Sequence, residues 1–182
     1  GIVKSGSGIL RILADNTYNG DTTITGGTVR LVNIGDSTST SSNFGTGAGK
    51  VSLNNATLDY VGGGETTDRL IELGGSTQNA LIESSGSGAL VLTNVVNVGT
   101  GARNFYLRGD LNAANEITSA LADGGGALSV VKDDNGTWIL SGQSTFTGSM
   151  TLSAGPLGIS ADSVGPVGAV TSSPVGVTRL II

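Results

Sequence analysis

The side chains that most often carry enzyme chemistry are scarce in this chain of 182 residues. It has no histidine and no cysteine. Their absence removes zinc sites of the nitrogen and sulfur type, thiol nucleophiles, disulfides and every catalytic pair that needs an imidazole. Catalysis would therefore depend on carboxylates, hydroxyls, lysine and arginine. Because those charges are scattered singly along the sequence, we predict neither an enzyme nor a resident cofactor.

One adjacent pair of acidic residues is the exception. Asp133 and Asp134 stand beside Asn135, between Lys132 and Gly136. Carboxylate and amide oxygens in turns are preferred ligands of Ca²⁺, so these three residues are the candidate calcium ligands. Neither an EF-hand loop nor a calcium-binding nonapeptide repeat accompanies them. The pair is also the candidate for inverting glycoside hydrolysis, which needs two carboxyls about 6.5 to 9.5 Å apart. We favour a solvated corner over both.

Net charge and hydropathy limit the partners and the location. The net charge is −5 without a basic run, so neither nucleic acid nor an anionic membrane surface is expected as a partner. No stretch approaches the ~18 apolar residues of a membrane-spanning helix. A cysteine-free chain rich in Gly, Ser, Thr and Asn is typical of an exported Gram-negative protein. The apolar end at residues 180–182 and the start at Gly1 lead us to expect one segment, residues 1–182, of a longer protein.

The hydrophobic pattern predicts short β-strands. Apolar residues alternate with polar ones in segments such as 28–31, 70–73 and 89–92, as in half-buried strands. Glycine and asparagine clusters between them supply tight corners. Helical signal is confined to residues 113–122, where a strand and a turn fit equally well. An antiparallel sandwich is the alternative fold, but it needs more hairpin signals than the two Asn-Gly pairs at 19–20 and 135–136.

An internal repeat favours a solenoid over the sandwich. At an offset of 128 positions, two segments align without a gap and keep their apolar phase. The aligned residues are Lys4, Gly8, Leu10, Ile12, Thr17, Tyr18, Gly20, Ile24, Gly27, Val29 and Leu31 with Lys132, Gly136, Trp138, Leu140, Thr145, Phe146, Gly148, Leu152, Gly155, Leu157 and Ile159. We place repeat units at about 4–60 and 132–182, with divergent coils at about 61–131. Repeats of this kind bury an apolar face by stacking, so we predict a solenoid of six to nine coils, with ~20 to 45 residues per repeat.

Residues 8–31 and 136–159 also resemble the autotransporter-associated β-strand repeat. The resemblance rests on the segment Asn16-Thr17-Tyr18-Asn19-Gly20, the Gly26-Gly27 pair and the apolar alternation around them. The second copy departs from the pattern at Ser149-Met150 and at Pro156. The resemblance implies a right-handed parallel β-helix in the passenger part of a bacterial surface protein. It implies no catalytic residue.

Recurring residues of the unit are expected to have structural roles. Lys4 and Lys132 occupy the same position, so we expect them to shield a coil edge or to pair with a corner carboxylate. Tyr18 and Phe146 are expected to cap the core at a corner. Trp138 stands in an apolar slot that Leu10 fills in the first copy, which favours core packing over ligand stacking.

We therefore predict a structural scaffold or spacer, located outside the cell or at the surface of a Gram-negative bacterium. Its predicted partners are neighbouring β-helix coils or copies of itself, assembled end to end. The alternative is an adhesin-type module that binds a glycan or a host surface. A polysaccharide lyase or hydrolase would need several charged residues on one face, and the sequence offers none outside Asp133 and Asp134.

Overall fold

The structure is a computed structural model that describes residues 1–76, 79–166, 169–177 and 180–182. These residues form eighteen short strands. The strands are β1 Ile2–Lys4, β2 Ile9–Ile12, β3 Thr22–Ile24, β4 Gly27–Leu31, β5 Val51–Leu53, β6 Ala56–Tyr60, β7 Gly63–Thr67, β8 Ile71–Leu73, β9 Ala80–Ser84, β10 Gly88–Leu92, β11 Val95–Asn97, β12 Arg103–Arg108, β13 Asn115–Ile117, β14 Leu128–Lys132, β15 Trp138–Leu140, β16 Met150–Leu152, β17 Leu157–Ile159 and β18 Leu180–Ile181. Among the described residues, no helix is long and apolar enough to cross a membrane.

The strands form three sheets in which every strand pair is parallel. Sheet A contains β1, β3, β5, β8 and β11. Sheet B contains β2, β4, β6, β9, β12, β14, β16 and β18. Sheet C contains β7, β10, β13, β15 and β17. The chain visits the sheets in turn, so the fold is a parallel β-helix and the antiparallel sandwich is excluded.

The pairing register gives the length of each coil. In sheet B, Ala56 pairs with Ala80, Ala80 with Phe105, and Phe105 with Val130. Successive coils of this central part therefore contain 24 or 25 residues. Among the described residues, eight strands stack in sheet B, which makes eight coils in that part of the chain. Residues 113–122, where a helix was an open alternative, contain strand β13.

The core is a set of side-chain columns that run along the axis. One column of sheet B passes through Val29, Leu58, Ile82 and Leu107, all fully buried. Each such side chain contributes about 1.5–3 kcal/mol by leaving water. The next member of this column, Lys132, pairs with Leu107 and is also fully buried. A lysine thus occupies a core position.

Loops replace strands on different sides at the two ends. Sheet C begins only at β7, so residues 13–21 and 32–50 take the place of its strands in the first two coils. Sheet A ends at β11, so residues 118–127 and 141–149 take the place of its strands farther along. Only sheet B continues through all eight coils.

The two repeat copies occupy different corners of the rod. In the first copy the lysine ends β1 of sheet A, and the following corner leads to β2 of sheet B. In the second copy it ends β14 of sheet B, and the corner leads to β15 of sheet C. The copies are therefore displaced by one side of the rod as well as by five coils.

Candidate functional site: the corner at Lys132

The corner between β14 and β15 contains the candidate ligands and is built around Lys132. The Lys132 side chain points into the core because it continues the alternation of Leu128 and Val130. Its Nζ donates hydrogen bonds to three main-chain carbonyl oxygens, at 2.7 Å from Asp133, 2.8 Å from Asp134 and 2.9 Å from Ala154. The first two carbonyls belong to its own corner and the third to the next coil. The ammonium therefore links two coils.

The first repeat copy contains the same arrangement. Lys4 Nζ donates to the carbonyl oxygens of Ser5 at 3.0 Å, Gly6 at 2.7 Å and Gly26 at 2.9 Å. Each of these acceptors lies 128 positions before its counterpart at Lys132. We name this arrangement the lysine clamp. The expectation of a structural role for the two lysines is met, although they bind carbonyl oxygens and not corner carboxylates.

The backbone of the corner is also repeated. Gly6 has φ of 73° and its counterpart Asp134 has φ of 60°. Gly27 and its counterpart Gly155 both have φ of 68°. The left-handed conformation costs an ordinary residue about 1–2 kcal/mol. Asp134 offsets part of this cost because its Oδ2 accepts a hydrogen bond from the Gly109 N–H at 3.2 Å.

The three candidate calcium ligands do lie in this corner, but two of them have protein partners. Asp133 Oδ2 forms an ion pair with Arg108 at 2.9 Å, and Asp133 Oδ1 accepts the Asp134 N–H at 3.0 Å. Asn135 is exposed. Among the described residues, no three acidic side chains converge as metal ligands. The corner carbonyls that would complete a calcium shell face the Lys132 ammonium, so the calcium assignment stays a prediction.

Burial and charge oppose each other at the ammonium. Burial lowers the pKa of Lys132, while the negative charges of Asp134 and Asp133 raise it. Trp138 lies next to this corner and is fully buried, as expected for a core residue, with its Nε1 donating to the Arg108 carbonyl at 3.0 Å. Phe146 is fully buried and Tyr18 half-buried. Phe146 is part of the core, as expected, whereas Tyr18 lies outside the core cluster and its hydroxyl is hydrogen-bonded with Thr22 Oγ1 at 2.7 Å.

Two buried arginines act like the lysines and were not predicted. Arg69 precedes β8, and its guanidinium binds the loop of residues 32–50 through several carbonyl oxygens. The acceptors are the carbonyl oxygens of Gly35, Phe44, Gly45, Thr46 and Gly49. Burial lowers the pKa of Arg69, and the nearest negative charges oppose that shift. The turn composition around Arg69 gave no signal for this role.

Arg103 is the second of them. It begins β12 and points inward, and its guanidinium donates to the carbonyl oxygens of Gly74 and Gly75 in the preceding coil. The sequence does carry a signal here, because Arg103 is in phase with Phe105 and Leu107 on the apolar face of the strand. A cation in an inward slot next to glycine-rich corners therefore indicates a clamp.

The outward face of sheet B carries a column of charged residues. Arg30 pairs in register with Asp59, Asp59 with Glu83, and Glu83 with Arg108. Arg30 Nε lies 2.5 Å from Asp59 Oδ2. The Arg108 guanidinium lies 4.9 Å from the centroid of the Tyr106 ring, within the range of a cation–π contact.

These observations define the class: a parallel β-helix whose two sequence repeats form lysine-clamped corners. Residues 2–31 and 130–158 both match the passenger-associated-transport-repeat. The chain thus carries two copies of a repeat of autotransporter passengers, and the resemblance found at residues 8–31 and 136–159 is confirmed.

A relative of known description is the adhesin BmaC autotransporter of Brucella suis biovar 1 (strain 1330). It is 39% identical to this chain over 147 residues, which cover 78% of this chain and 4% of that protein. The chain therefore spans a small part of the length of the relative. No solved structure matches the chain.

Proposed function

We propose that the chain is a structural scaffold or spacer segment of a bacterial surface protein, without catalytic activity. The observation that carries this proposal is the lysine clamp, found in both repeat copies with corresponding acceptors. The lysine that recurs in the repeat unit joins neighbouring coils, so the unit stabilises the rod. The location that follows is the outer surface of a Gram-negative cell, which the passenger repeats support.

The test of a spacer is removal of one coil. Residues 80–104 make one complete coil, because Ala80 and Phe105 are register partners in sheet B. We expect a variant that lacks them to fold, with the β-sheet circular dichroism and cooperative unfolding of the parent. The matched control lacks residues 80–91 and ends out of register, so it is expected to unfold. Equal behaviour of the two variants would refute a coil-by-coil scaffold.

The partners we propose are further β-helical coils, in the same chain or in a second copy. Exposed apolar side chains in the first coil support this proposal, among them Val3, which is 78% exposed, and Ile9, which is 56% exposed. Sedimentation velocity of the chain and of a Val3→Asp, Ile9→Asp variant would test it. We expect the double variant to associate less than the parent at the same concentration.

The second candidate function is adhesion to a glycan or host surface. It is favoured by the description of the relative as an adhesin. A glycan array and a cell-binding assay with the isolated chain separate the candidates. Saturable binding that persists when the outward residues of sheets A and C are shuffled, and is lost when those of sheet B are shuffled, would assign sheet B as an adhesive face. A scaffold shows no saturable binding.

A further inference from the structure

The charged column of sheet B contains one glutamate that stands between two ion pairs. Arg30 is held by Asp59 at 2.5 Å, and Arg108 is held by Asp133 at 2.9 Å. Glu83 lies in register between Asp59 and Arg108. Within the part of the chain that the structure describes, Glu83 forms no ion pair, and its Oε1 accepts a hydrogen bond from Ser85 Oγ at 3.1 Å. Its charge is therefore the least compensated in the column.

Asp59 has an oxygen without a partner. Its side chain is 2% exposed, and Arg30 occupies its Oδ2. Its Oδ1 is buried and receives no hydrogen bond from any described residue. A buried acceptor of this kind costs about 1–3 kcal/mol unless a donor reaches it. Neighbouring parallel strands are about 4.8 Å apart, and Glu83 is the register partner of Asp59 on the side of its strand away from Arg30.

Two adjacent carboxylates at one site do not ionise independently. Burial raises the pKa of Glu83, and the negative charges of Asp59 and Asp134 raise it further. The Ser85 hydrogen bond and the more distant Arg30 act in the opposite direction. A protonated Glu83 has a hydroxyl to donate, and Asp59 has a buried acceptor to receive it.

We propose that Glu83 and Asp59 share a proton in mildly acidic medium, with the Glu83 hydroxyl donating a hydrogen bond to Asp59 Oδ1. The proton comes from solvent, and no bond between heavy atoms changes. Arg30 stays bound to Asp59 Oδ2 and leaves Oδ1 as the acceptor. The pair goes beyond the scaffold proposal, because it makes the central coils respond to pH.

The direction of the response follows from linkage. The folded pKa of Glu83 lies above its unfolded value, for which the reference is 4.5. As the pH falls through the folded pKa, the folded chain takes up a proton that the unfolded chain does not take up. Stability therefore rises as the medium becomes mildly acidic. The gain is complete below the unfolded value and is lost as the pH rises back through the folded pKa.

The test compares urea unfolding of the parent and of Glu83→Gln between pH 7.5 and pH 4.5. The glutamine amide donates to Asp59 Oδ1 at every pH, so the variant is expected to be more stable than the parent at pH 7.5. The ratio of the two folding equilibrium constants should then change with pH by up to tenfold per unit, the limit for one proton. Burial also raises the pKa of Glu65, but Glu65 is present in both proteins, so its contribution to the pH dependence cancels in the ratio.

Glu116→Gln, on sheet C, is the matched control and should follow the parent at each pH. A Glu83→Gln variant with the pH dependence of the parent would overturn the proposal. If that variant fails to fold, a carbon-13 titration of the parent decides, since a Glu83 carboxyl that titrates at or below 4.5 also overturns it. A cation bound between the two carboxylates is the alternative to a shared proton, and unfolding of the parent in calcium chloride tests it. If calcium stabilises the parent at pH 7.5 and acidification brings no proton uptake, the site binds a cation and the shared proton is rejected.

Discussion

Replacement of Lys132 by methionine tests the lysine clamp most directly. Methionine keeps the length and the apolar character of the aliphatic stem but has no ammonium. The carbonyl oxygens of Asp133, Asp134 and Ala154 would lose a donor that now lies 2.7 to 2.9 Å away. The change therefore removes the bonds and leaves the packing of the core column.

The expected loss follows from two opposing quantities. Hydrogen bonds to a charged group contribute about 1.5–3 kcal/mol each, and three of them end on this ammonium. Removal of a buried charge also removes its desolvation penalty, which is several kcal/mol. We therefore expect Lys132→Met to lower the free energy of unfolding by about 2–4 kcal/mol, which is near the cost of breaking a buried ion pair.

Urea unfolding followed by tryptophan fluorescence measures this loss at the right place. The chain has one tryptophan, Trp138, and it is fully buried beside the clamp. Lys50→Met is the matched control, because the Lys50 ammonium is solvated and lies 3.0 Å from Glu72 on the surface of sheet A. We expect little change from the control. If the two variants unfold at the same urea concentration, the clamp does not stabilise the rod and the reasoning fails.

Three further predictions concern other corners. In Arg69→Lys, the lysine ammonium cannot donate to all the carbonyl oxygens that the guanidinium binds. Hydrogen exchange of the amides in residues 32–50 should therefore show local opening that is easier by about 2–3 kcal/mol. Unchanged exchange would contradict the role of Arg69. Gly27→Ala places a side chain at φ of 68° against the carbonyls of Gly6 and Gly8, so thermal unfolding should show that the free energy of unfolding falls by at least about 1–2 kcal/mol. Gly8→Ala is the control, because its new methyl group enters open space. Burial disfavours ionisation of Asp123, but hydrogen bonds from Leu128 and Thr147 outweigh the effect of burial and lower the pKa of Asp123 below 3.8. The stability that the ionised carboxylate provides is lost as the pH falls from 3.8 through the folded pKa. Acid titrations of Asp123→Asn should lack that loss.

The fold could be predicted because its causes are local and repeated. Alternating apolar residues fix which side chains enter the core, and glycine corners fix where the chain turns. The offset of 128 positions then favours a solenoid over a sandwich, since separated segments with the same apolar phase stack more readily than they pair in antiparallel fashion. Each of these signals is present within a few dozen residues.

The clamps were only partly predictable, because a cation in a core requires acceptors that come from another coil. Lys4 and Lys132 were identified by their recurrence, but their partners at Gly26 and Ala154 follow from register, which sequence alone does not give. Arg69 carries no local signal at all. Arg103 is in phase with an apolar strand, and that phase would have revealed it.

The displacement of the two repeat copies has a geometric consequence. Each repetition of the unit advances along the axis by five coils, about 24 Å at ~4.8 Å per coil, and turns by one third of a revolution. Equivalent points on successive copies thus lie on a three-step screw. If further copies keep that step, surface residues of three successive copies would face three different directions around the rod, and those of the fourth copy would face the first direction again.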